Sequence, residues 1–144
     1  MFSRYAIAAL AFTLMTIVPA RAAGREALYE RTVSLPSQAF THESATSCFD
    51  RLMILGGLGK RETERAAFLV YRTDGTFDCR VWPPSFTTRR ESWRGLPPDG
   101  TAAIVHTHPN DQPQPSRGDE ALAAELGVPV MVITRSGISS TSRR

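Results

Sequence analysis

His106 and His108 stand two apart, and after seven intervening residues comes Ser116, with Asp119 three further on. Imidazole nitrogens and carboxylate oxygens are ligands that zinc accepts, and a nearby serine hydroxyl can serve a reacting oxygen. The chain has three histidines, and two of them lie in this segment, HTHPNDQPQPSRGD. On a strand, residues i and i+2 share a face, so both imidazoles aim at one point while Thr107 points the other way. Ser116 is a good helix N-cap, and Asp119 falls in the first turn on the same side as the cap. Three protein ligands leave a fourth tetrahedral position for water, which a catalytic zinc site needs. Each part also has a plainer explanation: a surface histidine pair, and a capping serine followed by an acid that suits the helix dipole. Capping and ligation do not conflict, so one helix start can serve both.

The surrounding pattern supplies elements to hold these residues. Residues 101–106 (TAAIVH) read as a short buried strand, and Pro109, Pro113 and Pro115 keep the following segment extended and stiff. A helix then runs from the Ser116 cap to about Leu126, closed by Gly127. Residues 128–133 (VPVMVI) form the last strand, and the polar tail after it is expected to fray. Upstream, Ala45, Cys48, Phe49, Leu52 and Met53 recur at the one-face spacing of an amphipathic helix over residues 41–55. Residues 66–72 and 77–82 read as a hairpin about Asp74-Gly75, stopped by Pro83-Pro84. Residues 85–100 are a long polar loop that carries Arg89, Arg90 and Arg94 around Trp93, read as a solvated loop that could line the cleft.

The pattern H-x-H-x7-S-x-x-D, with proline directly after the second histidine, resembles the JAMM (MPN+) zinc metallopeptidases. That family's motif also has an upstream glutamate opening a strand, and Glu64-Arg65-Ala66-Ala67-Phe68-Leu69 fits it. The resemblance covers residues 41–137. It implies an α/β fold, with an α+β mixed sheet flanked by helices, in a JAMM or cytidine-deaminase-like sandwich. It also implies that His106, His108 and Asp119 bind Zn2+, that Glu64 passes a proton from water to the leaving amine, and that Ser116 helps hold the carbonyl oxygen. Glu62, two residues before Glu64, is the competing base. Relatives usually continue with a further apolar strand, so the sheet is expected to lack a C-terminal edge strand.

The front of the chain bears on location. Arg4 precedes an apolar run over residues 6–20, and Ala20-Arg21-Ala22 has the form of a cleavage site, so residues 1–22 read as a signal peptide cut after Ala22. An uncleaved N-terminal anchor is the alternative. Of 17 basic and 14 acidic side chains, the leader holds Arg4 and Arg21 and no acid, so the mature chain is left with a net charge of +1. That balance removes the case for nucleic-acid binding. The expected organisation is an arm over residues 23–40, a metallopeptidase domain over 41–137 and a polar tail over 138–144. The expected setting is the periplasm or the exterior, with no stable membrane insertion after cleavage. Cys48 and Cys79 can pair there, or remain two buried thiols.

The function these readings point to is a zinc-dependent peptidase or isopeptidase acting on a protein or peptide. Two alternatives remain at this stage: an inactive JAMM-like metal-binding or scaffold domain, and a periplasmic metal-sequestering protein.

Overall fold

The computed structural model describes residues 32–61, 63–84 and 93–141. The leader, Glu62, Arg89 and Arg90 therefore lie outside the described residues. Five strands form one mixed sheet in the order β2-β1-β3-β4-β5. They are β1 (Ala66–Tyr71), β2 (Phe77–Val81), β3 (Thr101–Thr107), β4 (Val130–Thr134) and β5 (Gly137–Ser140). Helix α1 (Glu43–Leu55) packs on one face, and α2 (Arg117–Leu126) connects β3 to the parallel strand β4. All other pairings are antiparallel. This is the expected mixed sheet flanked by helices, and the central strands β3 and β4 are buried along their whole length.

Alternation along the strands sorts side chains between two cores. Ala67, Leu69 and Val105 face α1, which contributes Ala45, Cys48, Phe49 and Leu52. Ala66, Phe68, Ile104 and Val130 face the other way, under Leu122, Ala123 and Leu126 of α2. A disulfide joins Cys48 of α1 to Cys79 of β2, with the Cα atoms 5.5 Å apart. The third histidine, His42, caps α1 by accepting the Ser44 amide at 3.1 Å. Gly56 ends that helix against β3, where an added Cβ would come within 2.9 Å of Thr107 Oγ1.

Several expectations need correction. The sheet does not lack a C-terminal edge strand: β5 pairs with β4 over the first part of the supposed tail, and the Thr141 amide donates to the Val130 carbonyl at 3.0 Å. An edge strand is held by backbone bonds and needs no apolar pattern, so the sequence GISS concealed it. Phe40, at the end of the expected arm, is buried in the α1-side core and stacks on Phe77 with ring centroids 5.5 Å apart. The proline-rich connection is not extended throughout, because Pro109–Asp111 forms a 3-10 turn. Trp93 is not simply solvated: its ring meets Phe68 edge-on at 5.0 Å.

Candidate metal centre

The site forms where β3 ends and α2 begins, at the carboxyl end of a parallel strand, where α/β sheets open to ligands. His106 sits on β3 directly opposite Ala66 of β1, so the residues preceding Ala66 lie beside its ring. His108 follows just past the strand, and the two rings meet edge-on with centroids 4.8 Å apart. The tight connection brings α2 back over them. Ser116 and Asp119 form a reciprocal capping box, in which Ser116 Oγ accepts the Asp119 amide at 3.2 Å and Asp119 Oδ2 accepts the Ser116 amide at 2.6 Å. The cap fixes the aspartate's rotamer, and the carboxylate reaches both rings: Oδ1 is 3.2 Å from His106 Nε2, and Oδ2 is 3.5 Å from His108 Nε2.

Each imidazole is held by its other nitrogen. His108 Nδ1 lies 2.8 Å from the Gln112 carbonyl, which can only accept, so Nδ1 carries a proton and Nε2 is the nitrogen turned toward Asp119. His106 Nδ1 donates to Glu64 Oε1 at 3.0 Å. Its Nε2 is buried, and its approach to Asp119 Oδ1 is a charge contact out of line for a hydrogen bond, so this nitrogen has no hydrogen-bond partner. Buried polar atoms are normally satisfied, and one left open between an imidazole and a carboxylate suits a metal ion. Glu64, His106 and His108 bring ligand atoms within 4.8 Å of one another, so this cluster can hold a metal ion.

Electrostatics agree with that reading. Burial alone would lower the His106 pKa, but the adjacent Asp119 and Glu64 carboxylates outweigh it and push it up to about 9. Burial would raise the Asp119 carboxyl, yet His106 and His108 hold it well below the usual carboxylate range. Two carboxyl groups thus converge on one largely buried ring, an arrangement that a divalent cation would neutralise. The cluster opens into a cavity of about 580 Å³ whose far wall is apolar, including Trp82, Ile104, Leu122 and Val130. Ser116 is exposed at its edge. Of the expected loop over residues 85–100, the described part contributes nothing to the wall.

All five residues singled out from the sequence are therefore brought together: Glu64, His106, His108, Ser116 and Asp119. Two contributors were missed. Gln112 acts through its backbone carbonyl, which leaves no mark on side-chain patterns. Thr107, between the histidines, is buried, and both its Oγ1 and its amide bind Arg65: the Arg65 amide donates to Oγ1 at 3.0 Å, and the Thr107 amide donates to the Arg65 carbonyl at 2.9 Å. These bonds pin the residue after Glu64 and so fix the glutamate opposite His106.

The fold and the cluster together define an α+β domain with a candidate metal centre at a strand-to-helix junction. Residues 53–144 match the family described as prokaryotic homologs of the JAB domain, more than half of the chain, and the protein belongs to that family. Neither the curated proteins nor the solved structures give a significant match.

Proposed function

We propose that the protein is an exported zinc-dependent metallopeptidase or isopeptidase that hydrolyses an amide bond in a protein or peptide. The observation that carries this is the buried His106 Nε2, which makes no aligned hydrogen bond and faces Asp119 together with His108 Nε2. Both Nδ1 atoms are already engaged, so His106, His108 and Asp119 are assigned as the three ligands, with Glu64 outside them. Zinc is favoured by this nitrogen and oxygen set, and when bound it supplies the Lewis acidity that makes water nucleophilic near neutral pH.

The protein's own groups do the rest. Glu64 takes a proton from the attacking water and returns it to the leaving amine. Its hydrogen bond to His106 does not preclude this, because a carboxylate has about four acceptor positions. Ser116 Oγ accepts from the Asp119 amide, and the hydroxyl has its own proton to donate to the carbonyl oxygen as negative charge develops there. Trp82, Ile104, Leu122 and Val130 give the cavity an apolar side next to these charges.

Export is supported by the leader pattern of residues 1–22 and by the Cys48–Cys79 disulfide, a bond that persists in oxidising compartments. No helix of the described residues is long and apolar enough to cross a membrane. A second reading, a metal-binding domain without activity, draws on the Glu64–His106 contact, since a carboxylate that orients a ligand is useful without catalysis. Zinc content and cleavage of a mixed peptide library, measured for wild type, Glu64→Gln and His106→Ala, separate the two. The peptidase reading expects Glu64→Gln to keep zinc and lose cleavage, and His106→Ala to lose both.

A further inference from the structure

We propose that Asp111 is a positioning residue for the metal centre: it bolts the turn that orients His108 to the β4–β5 hairpin. This rests on the metal-centre reading above. His108 owes its ring orientation to the Gln112 carbonyl, so the turn carrying Gln112 must be held still. Asp111, the residue before it, has φ +57°, in the left-handed region that a non-glycine residue adopts only at a cost. Such a conformation persists only where its surroundings enforce it.

The enforcement comes from the turn between β4 and β5. The Arg135 amide donates to Asp111 Oδ1 at 2.6 Å, and Arg135 Nε donates to Oδ2 at 2.9 Å. The carboxylate is thus held by two bonds from one residue, one of them from the Arg135 backbone amide and so independent of the arginine side chain. Beyond it, Ser139 Oγ of β5 donates to the Pro113 carbonyl, a second tie on the other side of Gln112. The segment over residues 111–113 is therefore anchored at both ends to the last hairpin, with the His108 acceptor between the anchors. None of these three contacts touches the ligand atoms, so they act on the ion only through the angle of one imidazole. The last strand, which looks dispensable in sequence, becomes part of the site's frame.

Zinc affinity tests this directly, using the full mature protein and competition with a chromophoric chelator. Asp111→Gly keeps the left-handed backbone and removes both bonds. Zinc binding is expected to weaken about 10-fold, at the low end of what loss of a ligand's outer partner costs. Arg135→Ala keeps the backbone bond and is expected to weaken binding less. In the metal-free protein, 15N spectra of the His108 ring should change from one tautomer in wild type to a mixture in Asp111→Gly, a signal that simple loss of stability does not produce. Zinc binding by Asp111→Gly within about twofold of wild type, with His108 still in one tautomer, would overturn the proposal. If Asp111→Gly does not fold, Arg135→Ala decides by the same two readings. His106→Ala is the control: if it binds zinc as wild type does, the metal-centre reading itself fails.

Discussion

On the α1 face, the sheet buries Phe49, Leu52, Leu69 and Val105 and is tied to the helix by the Cys48–Cys79 disulfide. On the α2 face, the same strands end in His106 and the backbone that aims His108, beneath a helix whose first turn presents Asp119. One side is apolar and covalently stapled. The other leaves a cavity of about 580 Å³ and a charged cluster at its edge. The contrast shows how a small domain can carry a costly site. Burying imidazoles and carboxylates together is unfavourable unless they are paired, and leaving a cavity forgoes packing. Each face also buries an apolar cluster, and β3 joins the two because it contributes to both sides. Val105 packs toward α1, the next residue is His106, and Thr107 turns back toward Gly56 at the end of α1 while holding Arg65 beside Glu64.

The sharpest way to break this division is at the ligands. His106→Ala should weaken zinc binding by more than the roughly 10–100-fold typical of losing an outer partner, as measured by chelator competition, and should abolish cleavage. The disulfide should remain formed, because it belongs to the other face. Removing the staple makes the converse case. Cys48→Ala with Cys79→Ala should cost about 3–4 kcal/mol of unfolding free energy, read from denaturant melts. Zinc stoichiometry in the surviving folded fraction should be unchanged. A staple-free protein that had lost its zinc while still folded would show that the two faces are not separable.

Thr107→Val probes the strand that joins them. It removes the acceptor for the Arg65 amide with little change of shape. Cleavage should fall by up to about 10²-fold, as expected for a misplaced catalytic group, while zinc affinity holds. Thr107→Ser should restore most of the loss.

The mildest perturbation is a change of pH. The folded pKa of His106 is raised to about 9, so its pairing stabilises the metal-free protein fully below the ordinary imidazole value of about 6.5. That contribution fades as the pH rises through about 9. Asp119 is depressed, so its share is present above the usual carboxylate range and fades as the pH falls below it. Metal-free stability from this cluster should therefore be complete between about pH 4 and 6.5, as read by denaturant melts at a series of pH values. Apparent zinc affinity should rise about tenfold per pH unit toward 9, since binding must displace the His106 proton.

Much of the site was legible because its residues act through side chains at fixed offsets. His106, His108, Ser116 and Asp119 lie in one segment, and the Ser116 cap and Gly127, with φ +69° at the helix end, mark α2 clearly. The family resemblance led to Glu64. What was not legible works through the backbone. β5 pairs by main-chain bonds, Gln112 offers a carbonyl, and the 3-10 turn at Pro109–Asp111 depends on Asp111 being held by Arg135, 24 residues away. Phe40 looked like part of an arm because its partner Phe77 lies on a strand far along the chain.

Glu64 decides whether the charged side of this molecule, if it holds a metal, is also a catalytic centre. Side-by-side zinc content and peptide-library cleavage of wild type and Glu64→Gln test it most directly. Glu64→Gln is expected to retain its zinc and lose about 10²–10⁴-fold in cleavage rate, the usual contribution of a positioned acid/base. Cleavage at the wild-type rate by a zinc-loaded Glu64→Gln protein would contradict it.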